Sequence, residues 1–154
     1  MIGLNATIGR LSQNRNKWKD LIRGMRHFEV PQTHGSASRL REERNFGTNP
    51  GALRMWSHLP PYPAANPALV VVLHGCTQTA ASYDYGTGWS TLADRYGFAL
   101  LLPEQQRSNN QNGCFNWFLP SDTRRDEGEA LSIRQMIEKI AIDHGIDRRR
   151  IFIT

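Results

Sequence analysis

Two short runs without a polar position, Leu69-Val70-Val71-Val72-Leu73 and Phe98-Ala99-Leu100-Leu101-Leu102, mark the middle of the chain, and Ile151-Phe152-Ile153 is a third. A strand with polar residues at alternate positions keeps one face in water. A strand without them has both faces covered, as a central strand of a parallel sheet does. Between these runs the period changes. Trp89, Leu92, Ala93 and Tyr96 fall on one side of a helix that Gly97 ends, since glycine best takes the left-handed backbone of a C-terminal stop. Ile133, Met136, Ile137, Ile140 and Ala141 form a longer stripe ended by Gly145. Asp126 and Glu129 have capping-box spacing at its start, with Asp in the usual Ser/Thr place. Strand, helix, strand, helix, strand implies right-handed crossovers and a mostly parallel sheet with flanking helices, an α/β fold.

Residues 1–30 carry another helical signal, with Trp18, Leu21, Ile22 and Met25 spaced among basic residues. Such a helix suits a membrane surface or an acidic partner, and equally an ordinary surface helix or a frayed leader. Pro31, Gly35, Ser36 and Ser38, then Arg39 to Arg44, describe a polar linker. The expected division is a basic leader and linker over residues 1–45 and a folded body over residues 46–154. Asn49-Pro50-Gly51 predicts a turn and Ala52 to Trp56 a short strand, while Pro60, Pro61, Pro63 and Pro67 stiffen the approach to Leu69. His74 to Gly86 and the Asn-rich stretch Ser108 to Gly113 are expected as loops. No internal repeat is visible.

The net charge of +5 resides in the leader. Residues 1–45 hold nine Lys/Arg against four Asp/Glu, and residues 46–154 hold ten of each. A neutral body suits uncharged substrates and offers no electrostatic footprint for nucleic acid. No run approaches the roughly 18–20 apolar residues of a transmembrane segment. Met1 to Leu4 is too short for the apolar core of a secretory signal, and Arg10, Arg15, Lys17 and Lys19 follow at once, which points to the cytoplasm. Cys76 and Cys114 both follow predicted strands, so a bridge between them is geometrically credible. It would stabilise the fold by roughly 4 kcal/mol on the chain-entropy estimate. An exported chain leaves both the bridge and two free thiols open, while a cytosolic one favours two reduced thiols.

His74-Gly75-Cys76-Thr77-Gln78 directly follows the first buried strand. When a nucleophile attacks an ester carbonyl, negative charge collects on the oxygen. Backbone N–H groups fixed in a tight loop meet that charge without reorganising, and one donor is typically worth a rate factor of roughly 10²–10³. Glycine permits the close approach such a loop needs, and an apolar strand running into His-Gly resembles the oxyanion loop of α/β-hydrolases. Cys76 N–H is then the donor, while His74 and Gln78 shape the loop. A plain strand-to-helix turn containing His-Gly is the competing reading. Asn116 and Trp117 fall at the same sheet edge and could line a substrate groove, or Trp117 could anchor packing. Asp122, Arg124 and Arg125 form either an ion-pair network or a solvated charge run, and His144 is a helix-end residue. There is no metal-ligand spacing, phosphate-binding glycine loop or nucleotide fingerprint.

The order His74-Gly75-Cys76-Thr77-Gln78, Gly88-Trp89, Pro103-Glu104-Gln105, Asn109-Asn110, Cys114-Phe115-Asn116-Trp117-Phe118, Gly128-Glu129-Ala130-Leu131-Ser132-Ile133 resembles the esterase family of poly(3-hydroxybutyrate) depolymerases, α/β-hydrolases, from about Phe46 to Thr154. The resemblance implies hydrolysis of polyhydroxyalkanoates or short-chain carboxylic esters through an acyl-serine intermediate, no cofactor, and an extracellular location. Family members continue past the strand at Ile151 into a Gly-x-Ser-x-Gly elbow and later supply an Asp and a His. None of the nine serines here sits in that motif; Ser90, in Gly88-Trp89-Ser90-Thr91-Leu92, lacks the second glycine. The expectation is a truncated α/β-hydrolase ending at the strand before the nucleophile elbow. It would hold an oxyanion loop (His74, Gly75, Cys76, Gln78) but no catalytic nucleophile, acid or base, and these residues alone would be inactive. The rival is a non-catalytic remnant or binding module that associates with a polymer or a complementary C-terminal half. Either way the last strand is expected as an apolar edge, which invites aggregation.

Overall fold

The computed structural model describes residues 38–154. The helical signal around Trp18 and the first part of the linker lie outside the described residues. Five strands, β1 (Arg41–Glu43), β2 (Arg54–His58), β3 (Leu69–Val71), β4 (Ala99–Glu104) and β5 (Ile151–Ile153), form one sheet in the order β1-β2-β4-β3-β5. β1 with β2 and β2 with β4 are antiparallel; β3 pairs in parallel with both β4 and β5. The helices are α1 (Ala80–Thr87), α2 (Trp89–Tyr96), α3 (Pro120–Thr123) and α4 (Gly128–His144).

The chain steps from β3 to β4, then returns past β3 to β5. Crossovers of one hand must then place their helices on opposite faces, and the core agrees. Ala99 and Leu101 pack with Leu69, Val71, Met136 and Ile140 under α4, whereas Leu100 and Leu102 pack with Ala80 and Ala93 under α1 and α2. Successive strand residues serve different cores, which is why the run shows no polar alternation. Each buried Leu, Val, Ile or Met side chain among them contributes about 1.5–3 kcal/mol.

Several expected boundaries move. The sheet begins before Phe46, because Leu40 is buried and Arg41–Glu43 form the edge strand. Its charges are paired across the sheet, Glu42 with Arg54 and Glu43 with the Ser57 hydroxyl, so a charged sequence that reads as linker is a strand. Ala52 has φ +46°, left-handed, and β2 starts two residues later than expected. β4 runs through Pro103 instead of stopping there. Leu101 is its last residue with a β3 partner, so Pro103 pairs on one side only, a position proline tolerates.

Residues 80–87 are helical, not loop. Thr79 Oγ1 accepts from Ser82 N–H at 3.1 Å and Ser82 Oγ accepts from Thr79 N–H at 3.0 Å, a reciprocal cap. In α2 the buried residues are Ser90 and Ala93, while Leu92 and Tyr96 face solvent. Gly97 and Gly145 end α2 and α4 at φ +71° and +62°, as expected.

Candidate active site

β3 delivers residues 74–79 to the C-terminal edge of the parallel strands. His74 is only 5 % exposed, and its two ring nitrogens do different things. Nε2 lies 3.0 Å from the Gln105 backbone nitrogen, which can only donate, so Nε2 accepts. The ring hydrogen therefore sits on Nδ1, which donates to the Gly75 carbonyl at 2.8 Å. Across a trans peptide, the carbonyl and the next N–H point in opposite directions. Holding the Gly75 carbonyl against His74 thus turns the Cys76 N–H away, and that N–H has no backbone acceptor among the described residues.

The rest of the loop is braced. Gly75 N–H donates to Gln78 Oε1 at 2.7 Å. A Cβ at Gly75 would stand 2.9 Å from that same oxygen, so a side chain there would displace the brace. Thr77 has φ +65°, a region a β-branched residue enters only under constraint. The constraint is visible: Thr77 N–H donates to the Asn112 carbonyl at 2.6 Å, and its hydroxyl donates to the Cys76 carbonyl at 2.6 Å.

The loops after β4 form the second wall. The Gln105 side-chain amide donates to Glu129 Oε1, while Gln105 Oε1 accepts from Gln106 N–H and Asn109 Nδ2, both at 2.9 Å. Glu129 Oε2 accepts from Asn116 N–H at 2.9 Å. Asn116 Oδ1 accepts from Asn110 Nδ2 at 3.0 Å, and Asn110 Oδ1 from Asn112 N–H at 3.0 Å. Cys114 is bridged to Cys76. The contacts close a ring: His74, Gln105, Glu129, Asn116, Asn110, Asn112, Thr77 and back to Cys76.

Glu129 reaches this position because of the glycine before it. Gly128 has φ +47°, and a Cβ there would lie 2.2 Å from Asp122 Oδ1. Asp122 Oδ1 accepts the Glu129 N–H at 3.2 Å, supplying the cap of α4 from α3. Asp126, expected as that cap, is instead exposed and pairs with Arg134 at 2.7 Å. The Glu129 side chain, 5 % exposed, turns inward. Burial pushes its carboxyl above the ordinary carboxylate range; the Asn116 N–H and the Gln105 amide pull it back, and the charge of Asp122 adds to the rise.

The structure therefore gathers His74, Gly75, Cys76, Gln78, Cys114 and Asn116 in one corner. Asn116 is buried and serves the brace. Trp117 is 77 % exposed, with its ring edge-on to Phe118 at 5.7 Å. Among the described residues Arg124 joins an exposed pair with Glu127. Gln105 and Glu129 are the residues that sequence reasoning misses as a buried pair, although both stand within the motifs that carry the family resemblance. Behind the loop, buried Glu104 accepts from Ala80 N–H at 2.8 Å and from Arg54 Nη1 at 3.0 Å, fixing the start of α1. Among the described residues, no group of three His, Cys, Asp or Glu could hold a metal ion, and no helix is long and apolar enough to cross a membrane.

The family described as Esterase PHB depolymerase matches residues 53–154. A poly(3-hydroxyalkanoate) depolymerase C of Paucimonas lemoignei is 50 % identical over 143 residues, covering 90 % of this chain and 34 % of that protein. A feruloyl esterase B of Talaromyces funiculosus is 31 % identical over 119 residues, 77 % of this chain and 33 % of that one. Among solved structures, an acetyl xylan esterase from Aspergillus awamori matches with a TM-score of 0.67 at 30 % identity, over 74 % of this chain and 41 % of that one. The chain spans about a third of the length of these curated relatives. With the family match, the order of motifs and the superposed fold in agreement, this chain belongs to the Esterase PHB depolymerase family and carries part of an α/β-hydrolase fold.

Proposed function

We propose that residues 74–79 are the oxyanion loop of a serine-type carboxylic-ester hydrolase acting on polyhydroxyalkanoates or short-chain esters. The attacking serine, its base and its acid come from residues beyond these 154. The observation that carries this reading is the Cys76 N–H, turned outward by the His74–Gly75 bond at the C-terminal edge of β3. As the serine oxygen adds to the ester carbonyl, the π electrons move onto the carbonyl oxygen, and Cys76 N–H donates to it. The second donor is the N–H that follows the nucleophile. Collapse expels the leaving oxygen, which departs as the alcohol with the proton the base removed from the serine, and leaves an acyl-serine. Water activated by the same base then hydrolyses it through a second oxyanion at the same donors. His74 is not the base, because its Nε2 already accepts from Gln105.

Trp117 and Phe118 offer exposed aromatic surface beside the loop, suited to an apolar polyester chain. The Cys76–Cys114 bridge favours an oxidising, extracellular setting. Exposed Phe152 and Ile153 on β5 are surface for the nucleophile-bearing segment to cover. No cofactor is required.

Grafting residues 38–154 into the Paucimonas depolymerase, in place of its matching segment, tests this. The chimera should hydrolyse p-nitrophenyl butyrate and lose that activity to a serine-directed inhibitor; the 154-residue chain alone should not hydrolyse it. A folded but inactive chimera, or an active isolated chain, ends the proposal. A polymer-binding module without catalysis would give the inactive chimera.

A further inference from the structure

We infer that Glu129 is a positioning residue for the oxyanion donor: through Gln105 it fixes the His74 ring, and through His74 the direction of the Cys76 N–H. The inference rests on residues 74–79 being an oxyanion loop, but adds a claim that the proposed function does not need, since packing alone could hold such a loop.

The polarity of every bond in the relay is forced. A carboxylate only accepts, so the Gln105 group facing Glu129 is its NH₂. That leaves Gln105 Oε1 facing two donors, Gln106 N–H and Asn109 Nδ2. Flipping the amide would set donors against donors on one side and acceptors against acceptors on the other. Gln105 is therefore locked, and its own N–H is held on His74 Nε2. Without that donor His74 could carry its hydrogen on Nε2 instead. The bare Nδ1 lone pair would then oppose the Gly75 carbonyl, and the Gly75–Cys76 peptide would keep only the Gln78 N–H, at 3.2 Å, to hold that carbonyl. Meanwhile the other Glu129 oxygen grips Asn116 N–H, holding the loop that carries Cys114 and so the Cys76 side chain. One carboxylate thus acts on Cys76 from both directions. A buried carboxylate is a costly way to fill space, and its raised pKa shows that the surrounding donors do not offset that cost in full.

The test is nuclear magnetic resonance of the ¹⁵N-labelled chain, reading the His74 ring nitrogens and the Cys76 amide. The unaltered chain should show a single Nδ1–H tautomer. Glu129→Gln sets an amide NH₂ against a donor whichever way it turns, the Gln105 amide or the Asn116 N–H, so it should shift the Cys76 amide, and mix the His74 tautomers where the clash falls on Gln105, while β3 and β5 amides keep their positions. The reciprocal pair Glu129→Gln with Gln105→Glu reverses the polarity and satisfies every donor again. It should restore both signals, which a mere packing role does not predict. If Glu129→Gln does not fold, Gln105→Met, which keeps the backbone N–H and loses the amide, should show the same His74 change. Unaltered His74 and Cys76 signals in whichever variant folds, or a swap that restores nothing, overturns the inference. In the active chimera Glu129→Gln should lower kcat by on the order of 10²-fold, as loss of one oxyanion donor does, with KM little changed. A tautomer change with an inactive chimera leaves the relay standing and sinks the esterase reading. Unchanged His74 and Cys76 signals with an active chimera sink the relay and leave the esterase reading standing.

Discussion

Two buried histidines stand at different ends of the sheet, and their surroundings treat them differently. His58, paired with Leu100 near the start of β4, meets two acceptors: the Arg39 carbonyl at 3.1 Å from Nδ1 and Asp94 Oδ1 at 2.8 Å from Nε2. Asp94 also takes the Arg39 guanidinium. His58 thus sits between two acceptors in a clamp joining the start of β1, β2 and α2. His74 meets one donor and one acceptor, and it fixes a peptide instead of an ion pair. Exposure is similar, 9 % and 5 %. What a buried histidine does is set by the polarity of the groups offered to it, not by how deeply it sits.

The largest blow to the His74 corner should come from its covalent tie. Cys114→Ser frees a loop of sequence separation 38 and should cost about 4 kcal/mol on the chain-entropy estimate. Urea denaturation reads this. Reductant should bring the unaltered protein down to the variant and leave the variant unchanged; equal midpoints without reductant would show that the bridge contributes nothing. Glu129→Ala comes next. It orphans the Asn116 N–H and the Gln105 amide, and the released burial cost offsets part of the loss, for a net of about 2 kcal/mol.

The His58 clamp should yield less. Asp94→Ala should cost about 1 kcal/mol, because Asp94 and Arg39 reach solvent, with side chains 23 % and 47 % exposed. That cost should shrink as salt rises, whereas the Glu129→Ala cost should not. The two carboxylates also act on pH dependence with opposite sign. The His58 hydrogen bond pulls the Asp94 carboxyl below its ordinary range against the effect of burial, and the charges of His58 and Arg39 add to that. Its stabilising effect is present above the unfolded value and is lost as pH falls through the folded one. Glu129, raised, favours the fold below the ordinary carboxylate range and loses that contribution as pH rises through its folded value. Asp94→Asn should therefore flatten the acid limb of the stability profile, and Glu129→Gln should remove a decline on its less acidic side. The same sign of change in both would refute the contrast.

What could be read along the chain divides by range. β3, β4 and α4 announce themselves because buried apolar residues recur locally, β5 because its three residues are apolar although Phe152 and Ile153 are exposed, and Gly97 and Gly145 because a left-handed stop needs only its own backbone. His74-Gly75 is legible for the same reason, a strand followed by a loop. α1 is not, since Ala80 and Asp84 are its only buried residues and no stripe exists to read. Its cap, Thr79 with Ser82, is the signal available. β1 is hidden because its carboxylates are met by the Arg54 guanidinium and the Ser57 hydroxyl, residues more than ten positions away. Gln105 and Glu129 lie 24 residues apart in sequence, and nothing local says that their side chains meet.

The smallest predicted effect is also the sharpest test of that division. Local spacing nominates Asp126 as the cap of α4, while the fold uses Asp122, whose oxygen reaches the Glu129 N–H because Gly128 lets α3 and α4 press together. Asp122→Ala should then cost about 1 kcal/mol, as the loss of a capping side chain does. It should also loosen the base on which Glu129 stands, so the Cys76 amide should shift slightly. Asp126→Ala removes only an exposed pair with Arg134 and should change stability by less than about 0.5 kcal/mol. Thermal melts of the two variants side by side decide it: if Asp126→Ala is the more damaging, the cap is local and α3 has no hold on the His74 corner.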